Sequence, residues 1–514
     1  MPSERSSAGD REWLWGAVAA AAVLAIVVWG TVERYTFLAG SPYPFGVDGY
    51  WYAIQLDSLL EGGGLYYPSA PLALWWMAPF AYFTDPIVGA KLAAAIGTSL
   101  VAVPLYAIGT RLSGSRGGGL VAAALAVTSS QSFYLSTEFV KSGIGLTVAG
   151  VFIWQLARAL EQPSRTRIAV AALALVATWA THKLAFGLAV VSAIPMLLML
   201  ARDRGAALWP PPPRAIAGVL GVLVLLAIGG VLAPERFLGG TDLALLPQLF
   251  SSTPQWSLPT LGAHGRELHF SRDVPIAGAL GLMVVATTIV AIRRSTMRGW
   301  LPPATTRVIV VGSALVAIVC AVPWVDVANP DGLGFRLRLT TFFTGAICAA
   351  ALVPVALRIV PRSMHAALVV GFVAGLVVSR PATYHAPVVA VHPAMQAAVR
   401  AAEGIVPEDH EIICPERHIV FMTRYYTGTK TRLRPERVPS ALRWRMIPLA
   451  LVRPSLRHAI DRSRIEKPPG ISPPIGLHPY DPDGLVLMPE ATWRWILERL
   501  PPKDQQHYRL WPTI

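Results

Sequence analysis

Charged residues, cysteine and asparagine are all scarce in this sequence. Of its 514 residues, 14% are charged and 54% are hydrophobic, and the mean hydropathy is +0.49. A composition this apolar excludes a water-soluble globular protein and an intrinsically disordered chain. Only three cysteines are present, and Cys320 and Cys348 lie inside apolar runs, which excludes a disulfide-stabilised scaffold. The sequence also lacks internal repeats and a glycine-rich nucleotide-binding pattern.

Hydrophobic residues occur in blocks of about 20, separated by short Arg-rich or Gly/Pro-rich breaks. A helix of about 20 residues crosses a hydrocarbon core about 30 Å thick, whereas a barrel strand is about 10 residues long with alternating polarity. The pattern therefore predicts an all-α polytopic membrane protein. We place eleven spans at 13–32, 87–110, 118–135, 142–157, 168–181, 184–201, 215–233, 274–292, 308–324, 340–357 and 364–379.

One further apolar stretch, at 71–83, is too short to span comfortably. It carries Trp75, Trp76 and Tyr82, which favour the headgroup level, so we expect it to lie along the membrane interface. Counting it as a twelfth span would place Arg111 and Arg116 outside and disrupt the charge pattern described next.

Lysine and arginine predict the orientation of the chain. With the N-terminus inside, the inner segments hold 16 Lys and Arg in 62 residues, whereas the outer segments hold 8 in 117. This bias has the sign of the positive-inside rule and accounts for the net charge of +14 without a nucleic-acid partner. It predicts an integral protein of the bacterial inner membrane with a cytoplasmic N-terminus that is not a cleaved signal.

The sequence divides into two predicted domains. Residues 1–379 form the transmembrane domain, with long outer loops at 33–86 and 234–273. Residues 380–514 mix Pro-rich stretches and charges with a strand-then-helix pattern around 411–426. This region is predicted to be a small extracytoplasmic α/β domain.

Two acidic residues on the predicted outer face are candidates for catalysis. Asp48 lies in a glycine-containing turn just before an amphipathic stretch at 50–60. A carboxylate in such a turn can act as a general base or bind a metal; the alternative is that Asp48 only caps the following helix. Glu138 lies in the next outer turn, three residues before Lys141 and on the same predicted helical face.

Basic residues also gather on the predicted outer face. The three lysines of the membrane region, including Lys91, all lie there, whereas every inner-loop cation is Arg. Because the positive-inside rule disfavours cations on this side, the cluster indicates a bound phosphate; alternatively, the cations pair with acids such as Glu138 or Asp331. The candidates for phosphate binding are Lys141, His182, Lys183, Arg336 and Arg338.

The 234–273 loop contains His264, Glu267 and His269, which we expect to contact the acceptor. Their spacing could in principle hold a metal, but in a loop such a pattern is more often coincidental. No cofactor is specified, and a divalent Mg²⁺ or Mn²⁺ remains open.

The first third of the chain has a distinctive order of features. A long first outer loop with an early acid (Asp48) leads to a juxtamembrane helix, an apolar Pro-and-Trp segment (YYPSAPLALWW), an arginine turn (YAIGTRLSGSRGG) and a second outer acid (Glu138). This order resembles that of the C-type glycosyltransferases (GT-C fold), which include the protein O-mannosyltransferases, the aminoarabinose transferases of lipid A and the oligosaccharyltransferase catalytic subunits. The resemblance covers roughly residues 14–200. Several members carry a lysine before the Pro-and-Trp segment, where this chain has Ser69 and Ala70.

The resemblance implies a sugar donor linked to polyprenyl phosphate or diphosphate in the outer leaflet. The sugar would pass, with inversion, to a lipid, glycan or protein acceptor of the cell envelope. Asp48 would take the acceptor's proton, and the outer cations would stabilise the leaving phosphate. Two other functions remain open: a transporter or flippase of lipid-linked glycans, and a glycan polymerase or ligase. A transporter would more often show repeats and mid-span charges, which this sequence lacks.

Overall fold

The structure is a computed structural model that describes most of the chain. The described residues are 4–203, 228, 231–232, 246–252, 254, 273–293, 304–326, 332–378 and 393–509, with gaps in the last range at 402–403, 408, 415, 434–438, 449–451, 467–473 and 477–484. The predicted span at 215–233 lies almost entirely outside them. His264, Glu267 and His269 also lie outside the described residues, so their proposed contact with an acceptor stays a prediction.

The chain forms two compact units. Unit 1 comprises Met1–Gly40, Tyr67–Pro79 and Lys91–His385; unit 2 comprises Ser41–Tyr66, Phe80–Ala90 and Ala386–Ile514. Residues 41–66, from the first outer loop, belong to unit 2 together with the C-terminal part of the chain. The domain boundary at residues 379 and 380 stays a prediction.

Helices dominate the chain as far as residue 378. The helices are α1 (Glu4–Ala39), α2 (Gly49–Gly62), α3 (Leu72–Phe83), α4 (Pro86–Ser99), α5 (Ala102–Ser113), α6 (Arg116–Thr128), α7 (Ser130–Thr137), α8 (Val140–Glu161), α9 (Arg165–Thr181), α10 (Lys183–Asp203), α11 (Asp273–Arg293), α12 (Ala304–Ala321), α13 (Leu333–Leu339), α14 (Thr341–Ile359) and α15 (His365–Val378). Helix α2 belongs to unit 2, and α3 and α4 each have residues in both units.

Several of these helices are long and apolar enough to cross a membrane. Among the described residues, five stretches meet this requirement: Trp13–Ala39, Pro86–Ser113, Val140–Glu161, Asp273–Arg293 and Leu333–Ile359. Further apolar helices, such as Arg116–Thr128, are shorter. The structure therefore confirms a mainly helical integral membrane protein, while the count of eleven spans and the orientation remain predictions. The 71–83 segment forms the 12-residue helix α3, which is too short for a crossing.

The core of unit 1 is built from apolar helix faces that pack closely. Leu105 of α5, Ile153 of α8 and Phe343 of α14 are almost completely buried in one continuous cluster. A Cβ at Gly150 of α8 would lie 3.0 Å from Pro104 and 3.3 Å from Phe343. Small residues at such crossings let helices approach closely, which is the usual basis of packing in membrane proteins.

Unit 2 contains a small mixed sheet flanked by helices. Its C-terminal elements are α16 (Pro393–Ala401), β1 (Glu411–Ile413), α17 (Arg417–Thr427), β2 (Lys430–Arg432), β3 (Arg443–Pro448), α18 (Pro454–Glu466), β4 (Ile475–Gly476), β5 (Leu485–Pro489), α19 (Glu490–Glu498) and α20 (Pro502–Arg509). The strand order is β2-β1-β3-β5-β4; β1 is parallel to β2 and β3, and β5 is antiparallel to β3 and β4. The strand and helix predicted around 411–426 correspond to β1 and α17.

Candidate active site

Four of the predicted phosphate-binding residues come together in unit 1. Lys141 is the second residue of α8, and Lys183 is the first residue of α10. His182 lies in the turn between α9 and α10, and Arg336 lies on α13. The charges of Lys141, Arg336 and Lys183 all act on the imidazole of His182. The structure thus groups these four residues, which are separated by up to 195 positions in the chain.

Glycine residues on α8 make this grouping sterically feasible. A Cβ at Gly145 would lie 2.9 Å from the Cβ atoms of both His182 and Ala185. A Cβ at Gly143 would lie 2.5 Å from a methyl carbon of Thr98 on α4. Because carbon atoms do not pack at these distances, only glycine allows the α9–α10 turn and α4 to approach α8 so closely.

His182 is held as a neutral imidazole in a positive field. Burial, and after it the charges of Lys141, Arg336 and Lys183, lower the pKa of His182 to about 3. Its Nε2 lies 3.3 Å from the hydroxyl of Ser142, and its buried Nδ1 has no hydrogen-bond partner among the described residues. Burial is the main cause of this lowered pKa, and the three neighbouring cations add a positive potential that favours an anion.

Two helix N-termini add to this field. Lys141 and Lys183 occupy first turns, where the helix dipole is positive and cations are normally disfavoured. Neither α8 nor α10 has an acidic residue in its first turn. Because the positive ends of two helix dipoles and two lysines carry the same sign, the arrangement suits a phosphate group.

The titration of His182 has a measurable consequence for stability. The native state keeps His182 neutral down to about pH 3, whereas the unfolded chain takes up this proton near pH 6.5. Between these values the unfolded state binds more protons, so the free energy of unfolding is expected to fall as the pH falls below about 6.5. Melting temperatures of the purified protein from about pH 5 to about pH 8 should show a weaker dependence on pH in His182→Gln. An identical dependence in both proteins would contradict this assignment.

Lys141 also contacts the segment before α3. Its ammonium group donates a hydrogen bond to the hydroxyl of Ser69, which is buried. This hydrogen bond joins α8 to the segment before α3.

Arg336 and Arg338 have different environments although they are two residues apart. The guanidinium of Arg336 lies 5.6 Å from the centre of the Phe139 ring, a cation–π contact that orients it in the cluster. Arg338 is buried and donates hydrogen bonds to the carbonyl oxygens of Cys320 (3.0 Å) and Val322 (2.6 Å), at the end of α12. The structure therefore places Arg338 in a helix-capping role and not in the cation cluster. On a helix, residues i and i+2 do not share a face, which explains the difference.

Glu138 lies outside the helix that carries Lys141. It is the C-terminal cap of α7, directly after Thr137, and its N–H donates to the carbonyl of Tyr134. Phe139 then adopts a non-helical conformation before α8 begins. The prediction that Glu138 and Lys141 share one helical face is therefore wrong, although the two residues flank the same turn.

Asp48 lies in unit 2, at the position preceding α2. Its side chain makes no capping hydrogen bond to the helix. Instead, its Oδ1 lies 3.2 Å from an Nη atom of Arg417, on α17. The alternative that Asp48 serves only as a helix cap is therefore not supported by the geometry.

A second carboxylate on α2 was not identified from the sequence. Burial, and then the charges of Glu61 and Asp85, raise the pKa of Asp57 to about 6. A carboxyl group that titrates near neutrality can exchange protons at physiological pH. The only signal in the sequence was the like-charged pair at positions 57 and 61, one helical turn apart.

A buried polar network supports the ends of the helices near Arg336. The amide of Gln131 donates to the carbonyl of Arg338 and accepts from the Thr341 hydroxyl and the Phe342 N–H, at 2.7–2.9 Å. The carboxylate of Asp273 accepts from the hydroxyls of Ser129 and Ser130 and from the N–H of Gln131, at 2.7–3.1 Å. This network ties α7 to α11, α13 and α14, and so positions the helix that carries Arg336.

The described residues contain no group of three or more His, Cys, Asp or Glu side chains that could hold a metal ion.

Among known proteins, the chain is similar to solved structures. No protein-family profile and no curated protein matches the chain. Among solved structures, the chain is similar to the crystal structure of ArnT from Cupriavidus metallidurans bound to undecaprenyl phosphate, with 14% sequence identity and a TM-score of 0.39. The match covers 93% of this chain and 98% of that chain.

Proposed function

We propose that the protein is a membrane glycosyltransferase. It moves a sugar from a polyprenyl-phosphate-linked donor to a lipid, glycan or protein acceptor on the extracytoplasmic face. The observation that carries this proposal is the cation cluster of unit 1, defined as Lys141, His182, Lys183 and Arg336. Two of its members, Lys141 and Lys183, lie in the first turns of apolar helices. A phosphate bound at the ends of membrane helices would lie at the level of lipid headgroups, which favours a lipid-linked donor over a soluble one.

The cluster is suited to stabilising a leaving phosphate. In sugar transfer, negative charge grows on the phosphate oxygens as the bond to the anomeric carbon breaks. Lys141, Lys183 and Arg336 stabilise that charge, and neutral His182 supplies a hydrogen bond instead of a further charge. A phosphate stabilised in this way needs no proton from a general acid.

Asp48 is the proposed general base. Its carboxylate takes the proton from the acceptor hydroxyl or amine while that atom attacks the anomeric carbon opposite the phosphate. Attack from that side inverts the configuration. The early position of Asp48 in a long outer loop supports this role, as does the geometry in which its carboxylate is not used to cap α2.

The experiment that tests the proposal is the replacement of Lys141 by Met. Transfer should fall about 10²- to 10³-fold, because a preorganised charge that stabilises the leaving phosphate is lost. The readout is mass spectrometry of envelope lipids and glycans in strains that carry the wild type, Lys141→Met, or no copy of the gene. The deletion strain should lack one sugar on an acceptor and accumulate its lipid-linked donor.

Lys430→Met is the matched control, because Lys430 is an exposed lysine on β2 of unit 2. It should transfer sugar like the wild type. If the deletion strain instead retains a complete lipid-linked glycan on the inner leaflet, the transferase proposal fails and a flippase function takes its place.

A further inference from the structure

The helix that follows Asp48 is bound to the C-terminal part of unit 2. Tyr50 of α2 is 2% exposed, and its hydroxyl lies 3.1 Å from the hydroxyl of Tyr426 on α17. The Tyr50 ring also packs against the rings of Tyr426 and Tyr425, with centroids 5.5 and 5.6 Å apart. These contacts join residues 376 positions apart and hold α2 on α17.

The backbone around Asp48 has little freedom. Gly46 has a φ of +74°, a conformation that favours glycine. A Cβ at Gly49 would lie 2.7 Å from the Cβ of Pro44, so a larger residue would displace the turn. The carbonyl of Asp48 accepts the first helical hydrogen bond, from the N–H of Tyr52, at 3.1 Å. The turn and the helix therefore fix the Cα–Cβ direction of Asp48.

The carboxylate of Asp48 forms an ion pair with Arg417. This arginine is the first residue of α17, and its guanidinium lies 3.2 Å from Oδ1 of Asp48 and 5.5 Å from the centre of the Phe421 ring. An arginine in the first turn of a helix is disfavoured by the helix dipole. Its presence there is explained by the carboxylate that it meets. The Phe421 ring, one turn along the same helix, restricts its motion.

We propose that Arg417 is the positioning residue of Asp48 for sugar transfer. This inference rests on the proposed function. The guanidinium of Arg417 lies beside Oδ1 of Asp48 and limits the directions that the carboxylate can take. The C-terminal part of unit 2 thus completes the geometry of a base that is encoded more than 360 residues earlier.

The test compares Arg417→Gln and Arg417→Lys with the wild type in purified membranes. The donor probe is the polyprenyl-linked lipid fraction extracted from the deletion strain, added at increasing concentration. We expect Arg417→Gln to lower kcat about 100-fold, because small displacements of a catalytic group are costly, with little change in KM for the donor. Arg417→Lys should recover part of kcat, because it restores the positive charge without the planar guanidinium.

Arg424→Gln is the matched control. It makes the same substitution on the same helix, but the guanidinium of Arg424 lies over the Tyr66 ring, at 4.7 Å, and not against a carboxylate. It should leave kcat close to that of the wild type. Equal losses in Arg424→Gln and Arg417→Gln would overturn the inference, because they would show a general requirement for the integrity of α17.

Asp48→Asn separates this inference from the function on which it rests. If Asp48→Asn abolishes transfer and Arg417→Gln transfers sugar normally, Arg417 does not position the base, but the transferase and its base stand. If Asp48→Asn transfers sugar normally, the base assignment and the role of Arg417 both fail. If the deletion strain shows no change in any envelope sugar, the proposed function itself is wrong.

Discussion

Asp48→Asn is expected to lower the rate of sugar transfer about 10²- to 10⁴-fold, the range over which a positioned general base contributes to a reaction. The amide keeps the size of the carboxylate but cannot accept a proton from the acceptor. Binding of the donor should change little, because the proposed phosphate site is the cation cluster in unit 1. The measurement is the initial rate of transfer in membranes that contain equal amounts of the two proteins.

Asp57→Asn tests the rival carboxylate on the same helix. It makes the same substitution nine residues later, in α2, and removes the carboxyl group whose pKa is raised to about 6. It should transfer sugar at nearly the wild-type rate. The opposite result, with transfer lost in Asp57→Asn and kept in Asp48→Asn, would identify Asp57 as the base.

Gln131→Leu is expected to give the largest loss of stability, about 3 kcal/mol. Gln131 is fully buried, and its amide makes three hydrogen bonds to Arg338, Thr341 and Phe342. Leucine fills a similar volume but leaves buried polar groups with fewer partners, and each such group costs about 1–3 kcal/mol. The measurement is the thermal unfolding of the purified protein in detergent.

Gln155→Leu on α8 is the corresponding control. Gln155 is partly exposed and accepts one hydrogen bond, at 3.3 Å, from Arg158. Its replacement should change the free energy of unfolding by no more than about 0.5 kcal/mol. Similar shifts in the two variants would show that the hydrogen bonds of Gln131 do not stabilise unit 1.

The apolar helices and the membership of the cation cluster were largely predictable from the sequence. The helices follow from the length of the apolar runs, which depends only on local composition. Lys141, His182, Lys183 and Arg336 were selected because they are basic residues on the side where the positive-inside rule disfavours them. The positive-inside rule depends on the side of the membrane on which a residue lies, and not on which helices pack together.

Arg338 and Gln131 show where sequence reasoning was insufficient. Arg338 shares with Arg336 every property that the sequence displays, yet it caps α12 because the two side chains leave α13 in different directions. Gln131 lay inside a predicted apolar span and carried no chemical pattern. Its importance comes from partners more than 200 residues away, which composition and spacing do not reveal.

By itself, the sequence determined that this protein is a helical membrane protein with basic residues collected near one predicted face. Hydrophobic length and charge bias are local quantities, and they can be read without knowing which helices touch. Only the tertiary structure decided that α2 packs on α17, that Asp48 meets Arg417, and that glycines on α8 bring His182 to Lys141. These contacts depend on the direction of single side chains and on steric fit between distant segments, which become defined only when the chain has folded.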